Sequence, residues 1–271
     1  MDVGDYYSRS FDNLKDNLNI AVPSLVGTVL TFIIMAIIVL IIMFGFIGTN
    51  AFFNGVITPE NVPNISIMAV LISAALLFIF GIITALIYSF IYAATIGMAK
   101  KVIEGGRPDL EVAWKKGKKY FIKIFVVSII TALIGIVLAI PFILGIILFN
   151  ISDILGIIVS MLGILIFIVG LILLALGLMF VNQAIVIGKK SVIGSIKSSF
   201  KLFMKNKLKV FLVGIINFAI ALGISFVLGL IPFVGSILNI LAGIILTPYF
   251  VLVITYLYMD IKGISPVDEY Q

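Results

Sequence analysis

The chain contains no cysteine and no histidine. Without thiols there is no disulfide, no thiolate nucleophile and no thiolate metal site. Without imidazole, the commonest general base and the commonest transition-metal ligand are both missing. Charge is scarce too, with only 11% of residues Asp, Glu, Lys or Arg. No GxxxxGK[ST] phosphate loop, HExxH helix or GxSxG elbow occurs. Glu60 and Asp153 are the only carboxylates that could meet on the face bearing no lysine, too thin a basis for acid–base chemistry. The expectation is a non-enzymatic protein with no metal and no cofactor.

What fills the chain is apolar: 63% of the 271 residues are hydrophobic and the mean hydropathy is +1.34. Bilayer hydrocarbon is about 30 Å thick and takes roughly 20 apolar residues per helix. Six charge-free runs reach that length, at residues 24–48, 65–99, 125–149, 154–188, 210–230 and 234–259. Nothing alternates over ten residues as a barrel strand would. Asp2 and Asp5 stand where a secretory leader carries lysines, and the first run exceeds a cleavable core, so it counts as a span. The predicted fold is all-α, one integral membrane domain over 1–271, with six transmembrane helices in a polytopic bundle plus amphipathic interfacial helices.

The 18 Lys and Arg residues are not scattered. Arg9 and Lys15 precede the first run, eight lie within 100–123, seven within 189–209, and Lys262 follows the last run. The loops at 49–64, 150–153 and 231–233 have none. By the positive-inside rule this places both termini in the cytoplasm of a cell-membrane protein. The Asn64 and Asn150 glycosylation tripeptides fall on the predicted outer side.

One pattern recurs. KVFLVGII at 209–216 echoes KIFVVSII at 123–130, each at the end of a lysine-rich segment. Before the first comes SVIGSIKSSFKLFMKN. On a helix, Val192, Ile193, Ile196, Phe200 and Phe203 share one face, and Lys197, Lys201 and Lys205 another. Such a helix lies flat on a membrane, lysines on anionic headgroups and phenylalanines in the interface. Before the second comes DLEVAWKKGKKY, with Asp109 as N-cap and Lys115, Lys116, Lys118 and Lys119 as the cationic part. A third version at the N-terminus matches Ser10, Phe11 and Asn17 to Ser199, Phe200 and Asn206. The implied unit is a surface helix followed by a two-span hairpin, repeated over 1–104, 105–189 and 190–271.

Helices in lipid associate through small residues and interhelical hydrogen bonds. Four-residue stripes run along the second run (Gly81, Ala85, Ser89, Ala93, Gly97), the fifth (Asn217, Ala221, Ser225, Gly229) and the sixth (Gly235, Asn239, Gly243, Thr247). The last two are expected to pair through the turn at Pro232, with Asn217 facing Asn239. The long second and fourth runs are expected to project into the cytoplasm, and Pro141 and Pro248 to bend their helices. No charged residue lies deep in a run, which argues against ion coupling. The polar candidates are Asn182, Gln183, Asn217 and Asn239, as interhelical glue or the lining of a polar site. Asp260 ends the sixth run at a dipole-negative helix end and calls for a cation. Lys100, Lys101, Lys189 or Lys190 could supply it, and Asp260 with Lys189 is the inner-face pair expected.

SVIGSIKSSFKLFMKN and the closing TPYFVLVITYLYMDIK resemble prokaryotic six-span membrane proteins related to the membrane domain of glycerophosphodiester phosphodiesterases. The resemblance implies a helical membrane domain of unassigned activity. The phosphodiesterase reaction belongs to a separate soluble domain of those proteins, and no catalytic residue maps onto this chain. The functional expectation is a scaffold or partner subunit acting through membrane lipids, especially anionic headgroups, or through a membrane protein partner, and not through nucleic acid. The alternative is a permease or channel for a small or amphipathic solute.

Overall fold

The computed structural model describes residues 1–54, 67–232 and 234–264. Glu60, the tripeptide at Asn64 and Phe233 lie outside them. Among the described residues the chain is helical and strand-free, and six helices are long and apolar enough to cross a membrane. The helices are α1 (Val3–Asp16), α2 (Val22–Asn54), α3 (Ile67–Ile103), α4 (Leu110–Leu148), α5 (Asp153–Leu178), α6 (Val181–Val186), α7 (Val192–Lys205), α8 (Lys207–Gly229) and α9 (Val234–Lys262). Two compact units result, Leu25–Tyr88 and Met1–Ser24 together with Ser89–Gln271. In the first, α2 and α3 present apolar side chains outward, Leu71 and Phe78 among them.

The second unit is built on two helical hairpins. α4 and α5 form the most extensive helix pair, and α8 packs on α9. Ile136, Met161 and Phe218 are each more than 60% exposed. Large apolar side chains face outward like this when the surrounding solvent is hydrocarbon. The buried core gathers instead at the lysine-bearing ends of the helices. It takes in Ala93–Ala99 of α3, most of α6 and the stretch from Val251 to Met259 of α9.

Three segments dock onto those helix ends. α1 lies on α9 and α7 on α5 and α6. The first turns of α4 lie on α3, where Phe90 meets Trp114 edge-on at 5.4 Å and a Cβ at Gly97 would strike the Lys116 stem. α1 and α7 end alike. Asn17 and Asn206 take up similar backbone conformations (φ −137°, ψ 58° and φ −128°, ψ 39°), and each side-chain amide donates to the carbonyl four residues back, at 3.1 Å. The helix stops there and a span begins. In the middle segment the expected separate surface helix does not form: α4 runs unbroken from its Asp109 cap into the span. When KIFVVSII is laid on KVFLVGII, Tyr120 takes the place of Asn206, and tyrosine cannot make that cap.

The fourth run does not project as one rod. It breaks at Met179 and Phe180 between α5 and α6. Ser199 of α7 splints the break: its hydroxyl accepts from the Phe180 N–H at 3.1 Å and donates to the Gly177 carbonyl at 2.6 Å. α7 turns its serines inward, and Val192, Ile196 and Phe203 of the expected apolar face pack on the protein core. Ser195, Ser198, Ser199, Leu202 and Phe203 are buried, while Ile193 and Phe200 are exposed. Small serines admit a closer helix approach than the apolar face does.

The stripes also sort differently. A Cβ at Gly81, Gly229 or Gly243 would meet nothing within 4 Å. Gly97 of the second run's stripe and Gly235 of the sixth's are tight, against the Lys116 stem and the Leu228 carbonyl, and further tight glycines lie on α5 and α4. A Cβ at Gly163 would strike the Pro141–Phe142 backbone, at Gly156 the Phe149 ring and at Gly170 the Leu138 side chain, and Gly145 abuts Ser160. α4 and α9 continue as helix through Pro141 and Pro248.

Candidate functional site

The polar spans do not converge. Asn217, half-buried on α8, accepts from the Tyr7 hydroxyl of α1 at 3.0 Å, and the same hydroxyl reaches the Val213 carbonyl at 3.1 Å. Asn239 donates to the Gly235 carbonyl of its own helix at 3.1 Å. Their expected pairing fails on register: Asn217 lies about 18 Å of helix from the turn and Asn239 only about 8 Å. Asn182 is half-buried on α6; Gln183 is 3% exposed, and its amide oxygen has no hydrogen-bond partner.

Asp260 does gather cations, but not Lys189. Lys209 stands 3.4 Å from its carboxylate, the Met1 ammonium 3.4 Å away, and the Tyr6 hydroxyl donates to it at 2.6 Å. The α8–α9 hairpin returns the start of α8 to the same end of the unit as the last turns of α9, and the long Lys209 side chain closes the remaining offset. Docking of α1 brings in Tyr6, which is fully buried. Lys189 is exposed and held in a left-handed turn (φ 53°) that closes α6, with Lys190 N–H on the Ala184 carbonyl. Burial first, and then the Asp260 carboxylate, hold the Tyr6 phenol above the usual tyrosine range. Removing that hydroxyl as Tyr6→Phe should lower stability by about 1 kcal/mol. Thermal unfolding in detergent measures it, and Asp260→Asn should cost at least as much, since it loses Lys209 as well.

The lysines expected on headgroups separate into two sets. On α4, Lys115 and Lys119 are exposed and Lys116 is half-buried along Gly97. The Lys118 ammonium lies 5.6 Å from the Trp114 ring centroid and that of Lys119 5.5 Å from Tyr120, within cation–π range. On α7, Lys197, Lys201 and Lys205 line one wall of a cleft of about 510 Å³. Lys190 and, from the end of α9, Lys262 complete it, so among the described residues five lysines and no carboxylate line the same space. Lys190 donates to the Ser198 hydroxyl at 2.6 Å. Burial, followed by the neighbouring Lys262 and Lys201, pulls the Lys190 ammonium below the usual lysine range. Spacing alone could find the α7 lysines. Lys190 and Lys262 required the docking of α7 beside α9.

Among the described residues, the lysines that pair with carboxylates are Lys100 with Glu104, Lys101 with Asp109, and Lys209 with Asp260. The six lysines expected on headgroups are in none of these pairs. No cluster of His, Cys, Asp or Glu able to hold a metal occurs among the described residues.

No curated protein and no solved structure matches the chain. Residues 79–259 match the family described as a domain of unknown function, DUF7847. The match takes in the docked ends of α3, both hairpins, the serine splint and most of the lysine-bearing surface, but carries no link to glycerophosphodiester phosphodiesterases. Two thirds of the chain being covered, this protein belongs to the DUF7847 family.

Proposed function

We propose that this integral membrane protein is non-enzymatic and works by contact, holding anionic lipid headgroups at its lysine-bearing end as a scaffold or partner subunit. That end and both termini face the cytoplasm of the cell membrane, and nucleic acid is not its partner. The observation that carries the reading is a set of cations with no carboxylate partner among the described residues, Lys115, Lys116, Lys119, Lys197, Lys201 and Lys205, on segments docked beside membrane-length helices. The alternative of a permease is less well supported, because Asn217 bonds Tyr7 of α1 and Asn239 bonds the Gly235 carbonyl of its own helix.

The test is lipid retention. Each lysine near an anionic surface contributes about 1 kcal/mol at low salt. Changing Lys115, Lys119, Lys197, Lys201 and Lys205 together to glutamine should cut the preference for anionic over zwitterionic lipid by at least about tenfold, and so should raised salt. Native mass spectrometry on protein extracted from mixed bilayers reads the preference. A preference indifferent to both changes refutes the proposal.

A further inference from the structure

The cleft between α7 and the end of α9 differs from the α4 lysines in three ways. It is concave, with a volume within the range of small-ligand sites. Its lining includes a buried polar side chain, Ser198, at 8% exposure. And its cations converge: Lys197, Lys201 and Lys205 follow one another on successive turns, facing Lys190 and Lys262.

Ser198 gives the cleft a direction. Its oxygen accepts from the Lys190 ammonium, which leaves the hydroxyl proton to be donated elsewhere. An anion in the cleft would thus find a fixed hydroxyl donor and a fixed ammonium side by side, with the α7 lysines as further donors. Five lysines line the cleft, and burial first, then the neighbouring Lys262 and Lys201, depresses the Lys190 ammonium. A phosphodiester brings one charge on two free oxygens. A phosphomonoester brings between one and a half and two charges on three oxygens, enough to meet the serine and several ammoniums together.

We propose that this cleft is a binding site for a phosphomonoester group, recognised by Lys190, Ser198, Lys197, Lys201, Lys205 and Lys262. The inference rests on the lipid-contact reading above and sharpens it from anionic headgroups in general to one chemical class. The group could arrive on a lipid or free in the cytoplasm. Met204 and Leu208, exposed beside Lys205, are suited to acyl chains.

The experiment uses the full chain. Native mass spectrometry compares retention of phosphatidate with phosphatidylglycerol from bilayers holding equal fractions of each, for the wild type, for Lys201→Gln/Lys205→Gln, and for Lys115→Gln/Lys119→Gln. A parallel arm follows the melting temperature in detergent with inorganic phosphate or pyrophosphate added. The expected result is about tenfold preference for phosphatidate, lost in the cleft variant and kept in the α4 variant. Stabilisation by pyrophosphate that vanishes only in the cleft variant, without phosphatidate preference, supports the same chemistry from a soluble source. Equal retention of the two lipids with no pyrophosphate effect, or a preference that survives in the cleft variant, overturns the inference and leaves general lipid contact standing. Retention of neither lipid, with no phosphate effect, overturns both.

Discussion

Replacing Gly163 with alanine is expected to destabilise the protein by about 1–3 kcal/mol, and replacing it with leucine to prevent recovery of folded protein. A Cβ at Gly163 would sit 2.6 Å from the Phe142 Cα and 2.7 Å from the Pro141 carbonyl carbon. Those neighbours are backbone, so no rotamer change relieves the clash and α4 and α5 must part. In hydrocarbon nothing offsets that parting, because lipid chains solvate the exposed faces as well as the helices do and close packing is what holds them. Gly243→Ala is the matched control. With open space around Gly243, that change should be neutral or stabilising by up to about 1 kcal/mol, since alanine is the better helix former. Unfolding in graded denaturing detergent compares them; equal effects would show that the glycine contact does not hold the hairpin.

Ser199→Ala should cost about 2 kcal/mol or more. Ser199 is fully buried, and its hydroxyl serves two backbone groups left over by the break between α5 and α6. Alanine orphans both, and each buried unsatisfied group costs about 1–3 kcal/mol. Ser195→Ala, one turn earlier on α7, should cost less than about 1 kcal/mol, because its hydroxyl only returns to the Val192 carbonyl of its own helix. Hydrogen exchange adds a local reading: the Phe180 amide should exchange markedly faster in Ser199→Ala and unchanged in Ser195→Ala. Slow exchange in both would remove the splint from the account.

Hydrocarbon-length runs are legible in sequence because the bilayer sets one length and one solvent for all of them. Six runs read from composition became six helices of membrane length, and the Asp109 cap and the α8–α9 hairpin formed as expected. Packing was less legible, since several stripes were present and sequence did not say which face met which. The stripe with the most close contacts is a heptad of glycines, Gly156, Gly163, Gly170 and Gly177, set against α4, the Phe149 that follows it, or α7. A seven-residue period keeps one seam facing its partner along a left-handed pair, so that spacing was the signal to weigh above the four-residue stripes. The position of Asp260 calls for a cation in sequence, yet its partner depends on α1 and α8 meeting α9. The Asn217–Asn239 pairing failed on hairpin register, which turn position alone would have corrected.

The candidate site was half visible. Lys197, Lys201 and Lys205 follow a helical period that any reading of α7 recovers. Lys190 and Lys262 are 72 positions apart in the chain and join the cleft only because α7 packs through serines. Such serines carry little signal in sequence when apolar and basic residues compete for the same helix.

The central claim is that the helices cross a bilayer with every lysine left on one aqueous side. Because the chain has no cysteine, single introduced cysteines report sidedness without background. Asn150→Cys in the α4–α5 turn and Ser191→Cys at the start of α7 are both exposed positions on opposite ends of the same hairpin. With a membrane-impermeant maleimide on intact cells, the account predicts labelling at position 150 at once and at position 191 only after permeabilisation. Labelling of both from the same side, or of position 191 alone on intact cells, would contradict it.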